Sequence, residues 1–382
     1  MSYRIAIDAR KIRDFGIGTY VRNLILELAE IDADNRYFLF VGPDDVDALP
    51  DLPDHFETVI QRAPVYSIRE LYALSWQLLR LKIDLYHATH YVLPLWVPCK
   101  AVVTIHDIIH LLYPEYLPNR LAFFYAERMI RHGLHRGDRV ITVSHNTRSD
   151  LRDYFGVKGR KIEVVHNGIE QSFRRELPIE ERDRHLEALG IEAGYVLFVG
   201  NPKPHKNLDN VIKAYAQAVR GGDIDAPLVC VGDRSGLELK IRLRAEQLGL
   251  EDRIILLGHV DQEVLPAIYQ GAALFMYPTL YEGFGLPVVE AMASGVPVIT
   301  SNTSALKEIA AGYAHLVGPM DVDGMAAAVR RCLTDKEHHK NLRTAGLRRS
   351  QDFSWRRAAE QTLGVYRLAL ATPTTVRDGA SP

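Results

Sequence analysis

The sequence predicts two α/β domains, each an open parallel sheet flanked by helices, facing each other across a cleft. Three observations lead to this prediction. The chain has 382 residues, which exceeds the roughly 250–300 residues beyond which one hydrophobic core stops growing. Short apolar runs alternate with amphipathic stretches, as in strand–helix–strand units. A polar stretch without strand character, residues 170–190, separates these units into two series. Such sheets bind ligands at the carboxyl ends of their strands.

The bulk composition is that of a compact protein and excludes several classes of function. Hydrophobic residues make up 47% of the chain and charged residues 25%, and the net charge is −2, which argues against disorder and against nucleic-acid binding. Cys99, Cys230 and Cys332 form no CxxC pair, so neither disulfides nor a cysteine zinc site is predicted. The charged first residues and the lack of an apolar run of about 18 residues predict a cytoplasmic protein without a membrane span.

The first series contains a glycine-containing loop and two clear helices. The first strand leads into a loop ending at Gly18, and from Thr19 apolar residues recur at helical spacing. A long amphipathic helix is predicted between Asn119 and His135. The predicted strands are Arg4–Ile7, Tyr37–Val41, Leu85–His87, Ala101–Ile105, Val140–Val143 and Ile162–Val165.

The second series follows the polar stretch 170–190, which we predict to be the connection between the domains. The domains are accordingly expected at residues 1–172 and 173–352. The tail, residues 372–382, is rich in Thr, Pro and Gly and is predicted to be unstructured. The predicted strands are Tyr195–Val199, Leu228–Val231, Ile254–Leu257, Leu274–Met276 and Val298–Thr300.

The strongest local pattern is the segment EGFGLPVVE, which runs from Glu282 to Glu290 and follows a predicted strand. Pro287 suits the first turn of a helix. Gly283 and Gly285 allow the backbone to approach a ligand closely, and a helix start offers free amides to an anion. Carboxylates on either side of an anion site can accept hydrogen bonds from sugar hydroxyls. A lone E-x7-E would indicate only a polar loop before a core helix, but the glycines, the proline and the preceding strand favour a binding site.

This segment resembles the signature of the large group of retaining glycosyltransferases with the two-domain GT-B fold, and the resemblance extends over roughly residues 3–370. It implies that Glu282 contacts the donor hexose and Glu290 the nucleotide ribose. It also implies that residues 353–371 form a helix that crosses back to the first domain. The backbone amides that would face sugar and phosphate belong to Gly283, Phe284, Gly285 and Leu286.

A second candidate element is the loop FVGNPKPHKNL at residues 198–208, which places cations after a strand. Such charges can neutralise a departing diphosphate. Members of the resembled group carry an arginine and a lysine here, and Lys206 matches the lysine. The arginine is absent. Asn201, Lys203 or His205 can take its place, and Lys203 is the first choice. Val260, after another strand, is assigned to the same donor site.

A third element is the loop FGIGTY, in which the resemblance assigns the amides of Gly16 and Gly18 to donor phosphate and Tyr20 to the acceptor site. A GxG loop alone most often indicates a tight turn between strand and helix. No GxGxxG pattern with an acidic residue about 20 positions further on is present, so a dinucleotide-dependent dehydrogenase is disfavoured.

The fourth element is the dipeptide His106-Asp107 at the end of a predicted strand, a position suited to active-site residues in an α/β sheet. It resembles the HD dipeptide of the same glycosyltransferases. That resemblance implies that His106 reaches the donor sugar, while Asp107 and His90 contribute to acceptor binding. For His106 alone a structural role is equally expected, and for His90 the structural or acceptor-shaping role is the stronger expectation.

No metal site or cofactor is predicted. The chain has neither an HExxH pattern nor the DxD pattern of metal-dependent glycosyltransferases, so a helix start and Lys206 are expected to do the metal's work. Between Arg120 and Lys161 the sequence has ten basic residues and only four acidic ones. This excess predicts either a solvated surface or peripheral contact with an anionic membrane that carries the acceptor.

Together these observations predict a metal-independent, retaining hexosyltransferase that uses a nucleotide-diphosphate sugar and a glycan or lipid-linked acceptor. Similar sequences in surface polysaccharide synthesis favour GDP-mannose as the donor. Two alternatives stay open. One is a sugar-nucleotide epimerase of the same fold, which would need acid–base carboxylates around the hexose C2. The other is a sugar-nucleotide-binding protein without turnover.

Overall fold

A computed structural model describes residues 2–67, 69–157, 161–201, 203–232 and 238–372. The chain forms two compact units. Unit 1 combines Met1–His166 with Trp355–Pro382, and unit 2 is Asn167–Ser354. The predicted unstructured tail lies outside the described residues from position 373 onward.

Unit 1 contains a seven-stranded sheet in the order β3-β2-β1-β4-β5-β6-β7. All neighbouring strands are parallel. Both faces of such a sheet are covered, which is why most residues of its central strands are apolar and buried. The strands are β1 (Arg4–Asp8), β2 (Arg36–Val41), β3 (Phe56–Ile60), β4 (Leu85–Ala88), β5 (Lys100–Ile105), β6 (Arg139–Thr142) and β7 (Ile162–Val164).

The helices of unit 1 begin where the sequence offers capping groups. The side chain of Asn119 accepts a hydrogen bond from the amide of Ala122 at the start of α4, and Ser144 does the same for Thr147 at the start of α5. The helices are α1 (Phe15–Ile31), α2 (Glu70–Arg80), α3 (Ile109–Leu112), α4 (Arg120–Arg136), α5 (His145–Phe155) and the C-terminal α15 (Trp355–Ala371).

Helix α15 returns to unit 1 after the chain has passed through unit 2. It packs along α1, and its Tyr366 hydroxyl lies 2.7 Å from Nδ1 of the buried His87. The other nitrogen of His87 lies 2.7 Å from the hydroxyl of Thr104. Burial lowers the pKa of His87 to about 3, so the imidazole is neutral and joins these hydroxyls as an uncharged hydrogen-bonding group.

Unit 2 contains a six-stranded sheet in the order β10-β9-β8-β11-β12-β13. Its strands are also parallel. The strands are β8 (Tyr195–Val199), β9 (Leu228–Val231), β10 (Ile254–Gly258), β11 (Ala272–Tyr277), β12 (Val298–Ser301) and β13 (His315–Val317). The helices are α6 (Gln171–Arg174), α7 (Ile179–Ala188), α8 (Leu208–Val219), α9 (Glu238–Leu248), α10 (Leu265–Gly271), α11 (Leu286–Ala293), α12 (Ser304–Ala310), α13 (Val322–Thr334) and α14 (Lys336–Ser350).

The prediction that residues 170–190 connect the domains is wrong. This stretch forms α6 and α7, which pack against α11 and α10 within unit 2. The error arises because the stretch contains few apolar residues and many charged ones. Two of these apolar residues, Phe173 and Leu186, are nevertheless buried. The passages between the units lie instead at residues 166–167 and 354–355.

All eleven predicted strands are present, and two further strands, β3 and β13, were missed. Both are the last strand at one edge of their sheet. The side chains of β3 are only partly buried or exposed, so it lacks an apolar run, and β13 has only three residues. None of the helices in the described ranges combines the length and the apolar composition needed to span a bilayer.

Candidate active site

Two loops at the carboxyl ends of β8 and β11 are joined by hydrogen bonds. The amide of Leu280 donates to the carbonyl of His205 at 2.8 Å, and the side-chain amide of Asn207 donates to the carbonyl of Pro278 at 2.8 Å. Asn207 adopts a left-handed conformation with φ 63°, which asparagine tolerates better than most residues. The loop predicted to carry cations and the loop before Glu282 therefore form one surface.

Lys206, Glu282 and Tyr277 form a compact cluster on this surface. The ammonium of Lys206 lies 2.7 Å from Oε1 of Glu282 and donates to the hydroxyl of Tyr277 at 2.7 Å. The Tyr277 hydroxyl donates to the same Oε1 at 2.9 Å. The side chains of Lys206 and Glu282 are 17% and 13% exposed, so the cluster is largely shielded but remains open to a ligand.

The environment keeps Lys206 positively charged. Burial by itself would lower the pKa of Lys206, but the charge of Glu282 and the hydrogen bonds that Lys206 donates to Glu282 and Tyr277 outweigh it and raise that pKa. Burial, with the nearby Glu282 charge, raises the pKa of Tyr277. A permanent cation beside a carboxylate is therefore present throughout the physiological pH range.

A series of hydroxyl groups at the end of β12 and directly after it holds the Glu282 loop in place. Ser304 Oγ accepts a hydrogen bond from the Glu282 amide at 3.1 Å, although Ser304 itself has a left-handed backbone with φ 51°. A strained backbone at a site is commonly maintained by its surroundings. The other hydroxyls donate to loop carbonyls: Thr300 to Tyr277, Ser301 to Thr279 and Thr303 to Leu280.

Helix α11 begins where the sequence predicted, directly after Gly285. Gly285 has φ 99°, and a Cβ atom there would lie 2.4 Å from Cδ2 of Leu306, so only glycine fits. Pro287 occupies the first turn, where its missing N–H costs no hydrogen bond. The amides of Val288 and Val289 donate to the Gly285 carbonyl at 3.0 and 3.4 Å. Of this first turn, the Leu286 amide is therefore the candidate contact for an anion.

Glu290 lies farther along α11 and is in a different environment from Glu282. Its Oε2 accepts a hydrogen bond from the hydroxyl of Tyr269 at 3.0 Å. Burial raises the pKa of Glu290 to about 7, although the bond from Tyr269 opposes this shift. The carboxyl group is therefore divided between its two protonation states near neutral pH.

The other predicted donor residues of unit 2 differ in accessibility. Lys203 is exposed, and Val260 and Leu286 are partly exposed. Gly283 and Phe284 are buried, and the ring of Phe284 packs edge-on against Phe353 at 5.5 Å, so Phe284 can contribute only its backbone to a ligand.

A cavity opens at the carboxyl ends of β8, β9 and β10, on the edge of the sheet that also carries Lys206. Its wall includes Gly200, Gly232 and Gly258, which follow or end these three strands, together with Glu238. Gly258 lies two residues before Val260, which the sequence assigned to the donor. The cavity itself was not predicted, because its wall combines residues from separate parts of the chain.

In unit 1, His106 has a defined tautomer. Its Nε2 lies 2.9 Å from the carbonyl of Thr89, and since a carbonyl can only accept, Nε2 carries the proton and Nδ1 is left as an acceptor. Burial lowers the pKa of His106, which keeps the ring neutral. The backbone carbonyl of His106 accepts a hydrogen bond from Thr147 Oγ1 at 3.2 Å.

The two predicted acceptor residues near His106 also have protein partners. Asp107 Oδ1 accepts a hydrogen bond from the Ile109 amide at 3.0 Å. His90 Nε2 lies 3.2 Å from the hydroxyl of the exposed Tyr66, while its buried Nδ1 has no hydrogen-bond partner within the described ranges. His90 therefore retains one ring nitrogen for a ligand.

Two expectations for the first loop are corrected by the structure. Tyr20 is 1% exposed and its hydroxyl lies 3.1 Å from Thr104 Oγ1, so it is a core residue and does not reach an acceptor.

Helix α1 begins at Phe15 instead of Thr19, and the Gly18 amide donates to the Asp14 carbonyl, so the Gly18 amide is not available to a phosphate. A Cβ at Gly18 would lie 2.3 Å from the Ile12 carbonyl oxygen, which explains the glycine. Gly16, in the first turn, is exposed.

The sequence missed two residues of the site, Tyr277 and Ser304. Tyr277 was predicted to begin the loop after a strand ending at Met276, but it is the last residue of β11. Nothing in the sequence indicates the positive φ of Ser304, because serine is not a residue type typical of that conformation. Both could have been suspected only from their positions at strand ends in a parallel sheet.

Comparison with known proteins accounts for most of the chain. The family model described as Glycosyl transferases group 1 matches residues 181–349, and the one described as Glycosyltransferase Family 4 matches residues 16–173. Sucrose-phosphate synthase from Thermosynechococcus elongatus has the same fold, with a TM-score of 0.79 and 24% identity over 97% of this chain and 99% of that one.

Two relatives from Escherichia coli show how far the similarity extends. O-antigen chain mannosyltransferase B is 29% identical over 369 residues, which are 92% of this chain and 96% of that protein. Serotype-specific mannosyltransferase WbdA is 28% identical over 74% of this chain. The match spans only 35% of WbdA.

Two parallel-sheet units, the second with a cation and a carboxylate at the carboxyl edge of its sheet, define a glycosyltransferase of the GT-B fold. The chain belongs to the glycosyltransferase group 1 and family 4 type.

Proposed function

We propose that the protein is a retaining hexosyltransferase that uses a nucleotide-diphosphate sugar, with GDP-mannose as the first candidate donor. The observation that carries this proposal is the pair formed by Lys206 and Glu282, whose charged atoms lie 2.7 Å apart at the carboxyl edge of one sheet. A sugar diphosphate needs a cation for its phosphates and an acceptor for its hydroxyls, and this pair supplies both. Glu290, on the following helix, is the candidate acceptor for the ribose hydroxyls.

In the proposed reaction the bond between hexose C1 and the β-phosphate oxygen breaks, and its electron pair leaves with the nucleoside diphosphate. An acceptor hydroxyl forms the new bond to C1, and its proton passes to the departing phosphate. Lys206 and the Leu286 amide at the start of α11 stabilise the charge on that phosphate. Glu282 holds the hexose, with its backbone amide fixed by Ser304.

The residues proposed for the acceptor belong to unit 1. His90 offers its buried Nδ1, Asp107 offers its second carboxylate oxygen, and the resemblance assigns His106 to the transferred sugar. The names of the Escherichia coli relatives, O-antigen chain mannosyltransferase B and serotype-specific mannosyltransferase WbdA, support mannose as the sugar and a surface polysaccharide or its lipid-linked precursor as the acceptor.

We also propose that transfer needs no metal ion. Lys206 stays protonated because Glu282 and Tyr277 raise its pKa, so a fixed cation is available where metal-dependent transferases place a divalent ion. The start of α11 adds the backbone amide of Leu286. Turnover should therefore be unchanged by EDTA, and a loss of activity that Mg²⁺ or Mn²⁺ restores would contradict this part of the proposal.

Peripheral membrane contact is proposed for one face of unit 1. Exposed apolar side chains follow the outer surface of α2, the loop after β4 and the start of α4: Tyr72, Trp76, Leu79, Leu95, Trp96, Leu121 and Phe124. Ser75 on α2 donates to the Trp96 carbonyl, and His132 on α4 lies 2.9 Å from the Pro94 carbonyl, so the three elements form one surface. The basic residues 120, 128, 131 and 136 of α4 suit anionic lipid, while positions 158 and 160 lie outside the described residues.

Vesicle sedimentation tests this contact. Binding to vesicles with anionic lipid should exceed binding to neutral vesicles, and replacing Trp76 and Trp96 by serine should weaken it. Equal sedimentation of wild type and double variant would argue against the surface. The same change at Leu243, an exposed apolar residue of unit 2, is the matched control.

The activity experiment supplies GDP-mannose, UDP-glucose and UDP-N-acetylglucosamine separately, with and without a mannose oligosaccharide. We expect release of GDP and elongation of the oligosaccharide with an α-linked mannose, read by NMR. Activity with UDP-sugars alone would remove mannose from the proposal. Conversion of UDP-N-acetylglucosamine to an isomer without acceptor would favour an epimerase.

A pair of matched variants tests whether the site is catalytic. Glu282→Gln removes the carboxylate charge and should abolish most transfer, whereas Glu187→Gln, an exposed position on α7, should leave it unchanged. If wild type binds a nucleotide sugar but no donor and acceptor combination gives turnover, the chain is a binding protein and the catalytic proposal fails.

A further inference from the structure

Unit 2 brings together three potential metal ligands that are separated along the chain. His315 begins β13, Cys332 lies near the end of α13, and His338 lies in the first turn of α14. One ligand atom from each residue can be chosen so that all three atoms lie within 4.8 Å of one another. The sequence predicted no metal site because these residues show no recognised spacing, and only the packing of β13, α13 and α14 unites them.

The two imidazoles already have the separation of ligands on one ion. Nδ1 of His315 lies 3.3 Å from Nε2 of His338. Two nitrogens bound to Zn²⁺ at about 2.0–2.1 Å with a tetrahedral angle lie about 3.3 Å apart. The rings are nearly perpendicular, at 89°, so the two nitrogens approach each other without stacking of the rings.

The third group completes a ligand set of defined chemistry. Cys332 is fully buried, and its sulfur needs to stand about 3.6 Å from each nitrogen on a tetrahedral Zn²⁺ with a Zn–S bond of about 2.3 Å. The three ligand atoms lie within 4.8 Å of one another, so a small side-chain movement can bring the sulfur to this distance. Two imidazoles and one thiolate suit Zn²⁺ and exclude the hard ions Mg²⁺ and Ca²⁺, which prefer oxygen.

Both histidines are partly exposed, so an ion can enter from solvent and keep a water as its fourth ligand. The nearby positive charge of Arg331 is offset by Asp335, at 4.0 Å. Asp335 also fixes His338 by accepting a hydrogen bond from its backbone amide at 3.0 Å. The first turn of α14 is thereby held in one conformation.

This cluster is distinct from the candidate active site. His315 is the first residue of β13, at the amino end of the strands, whereas Lys206 and Glu282 follow the carboxyl ends of β8 and β11 in the same parallel sheet. We propose that His315, Cys332 and His338 bind a zinc-type transition-metal ion that joins β13, α13 and α14 and takes no part in glycosyl transfer.

Titration of the full-length protein with Co²⁺ tests this proposal, because Co²⁺ reports its ligands by absorption. We expect one equivalent to bind with a thiolate charge-transfer band and the intense visible bands of a tetrahedral site. His338→Gln should weaken binding at least about tenfold, since even loss of an outer-sphere partner costs 10–100-fold. Cys332→Ser should abolish the charge-transfer band.

Two neighbouring variants serve as controls. His339→Gln changes the adjacent histidine, whose Nε2 is occupied by the Ala273 carbonyl at 3.0 Å, and Cys99→Ser removes a thiol of unit 1. Both should bind Co²⁺ like the wild type, and Zn²⁺ should displace the Co²⁺. If Cys332→Ser does not fold, the weaker Co²⁺ binding of the folded His338→Gln variant, compared with the thiolate band of the wild type, tests the site instead.

Absence of stoichiometric binding, or a Co²⁺ spectrum without thiolate character, would overturn the proposal. So would equal affinity in wild type and His338→Gln. Donor turnover by His338→Gln should equal that of the wild type, so the result is independent of the proposed glycosyl transfer.

Discussion

The ammonium of Lys206 contacts the carboxylate of Glu282 at 2.7 Å, and this ion pair joins charged side chains from the two loops that the sequence identified separately. The Tyr277 hydroxyl touches both groups. A diphosphate that approaches Lys206 therefore meets a cation whose position is set by the residue proposed to hold the sugar. In the proposed function, this one hydrogen-bonded cluster would couple the binding of the phosphate to the binding of the hexose.

Replacement of Lys206 by alanine should lower kcat/KM for the donor by about 10²–10³-fold, the usual cost of removing one preorganised electrostatic contact. Lys206→Arg should recover part of this loss, because it keeps the charge but not the geometry. Initial rates at saturating acceptor, with circular dichroism to verify folding, provide the measurement.

Lys203→Ala is the informative companion to this variant. If Lys203 replaces the arginine that this chain lacks, its loss should also reduce kcat/KM, by less than the loss of Lys206 because Lys203 is exposed. Wild-type kinetics in Lys206→Ala would remove the phosphate role from this loop, whereas wild-type kinetics in Lys203→Ala would remove only Lys203.

Glu290 should make stability depend on pH. Its pKa is raised to about 7 from about 4.5 in the unfolded chain, so its neutral form favours the fold fully below pH 4.5 and that contribution is lost as the pH rises through 7. Glu290→Gln should therefore unfold at higher temperature than wild type at pH 8, by the equivalent of about 1–3 kcal/mol, and show little difference at pH 4.

The same variant should bind the donor more weakly, since an amide accepts fewer hydrogen bonds from ribose than a carboxylate. Thermal melts at the two pH values and donor KM together make the test. A Glu290→Gln protein that is less stable than wild type at pH 8 would contradict this prediction, because it would show that the fold stabilises the ionised form of Glu290.

Two substitutions at Ser304 separate its backbone strain from its hydrogen bond to Glu282. Ser304→Ala keeps the positive φ and loses the bond, which should cost about 1 kcal/mol of unfolding free energy. Ser304→Gly loses the same bond but relieves strain of about 1 kcal/mol or more, so its stability should stay near that of wild type. Urea unfolding compares the three proteins.

Activity should fall in both Ser304 variants, by roughly tenfold, because misplacing Glu282 disturbs the orientation of the sugar. A stable Ser304→Gly variant with wild-type kcat and KM would mean that the hydroxyl does not position Glu282. Reduced activity only in Ser304→Ala would mean that the loss of activity comes from the strained backbone, which this variant keeps and Ser304→Gly relieves.

Tyr20→Phe tests the correction made for that residue. Loss of the hydroxyl that meets Thr104 at 3.1 Å should reduce the unfolding free energy by about 1 kcal/mol and leave the acceptor KM unchanged. A raised acceptor KM in a protein of wild-type stability would return Tyr20 to the acceptor site.

The sequence predicted the parts of the fold that depend on buried apolar runs. The strands from β8 to β12 were recognisable because both faces of a parallel sheet are covered. The edge strand β3 escaped recognition because solvent reaches its side chains, and α6 and α7 were mistaken for a connection because one or two buried residues suffice to hold a short helix.

The candidate site was predictable where backbone requirements restrict the residue type. Gly285 and Pro287 indicate a helix start with a special conformation, and charged residues after strands mark the neighbourhood of a ligand. Tyr277 and Ser304 could not be found in this way. Their roles depend on contacts between loops that are distant in the chain, and nothing in their own side chains indicates them.

The return of α15 to unit 1 has a consequence for biosynthesis. Since the Tyr366 hydroxyl reaches His87, the segment of unit 1 translated before unit 2 depends on residues translated after unit 2. Unit 2 is one continuous segment, so it can acquire its native structure during translation. Unit 1 stays incomplete until α15 has been translated, and the side of α1 that packs against α15 is uncovered until then. A nascent chain stalled before Trp355 would thus carry one completed unit and one that chaperones must protect.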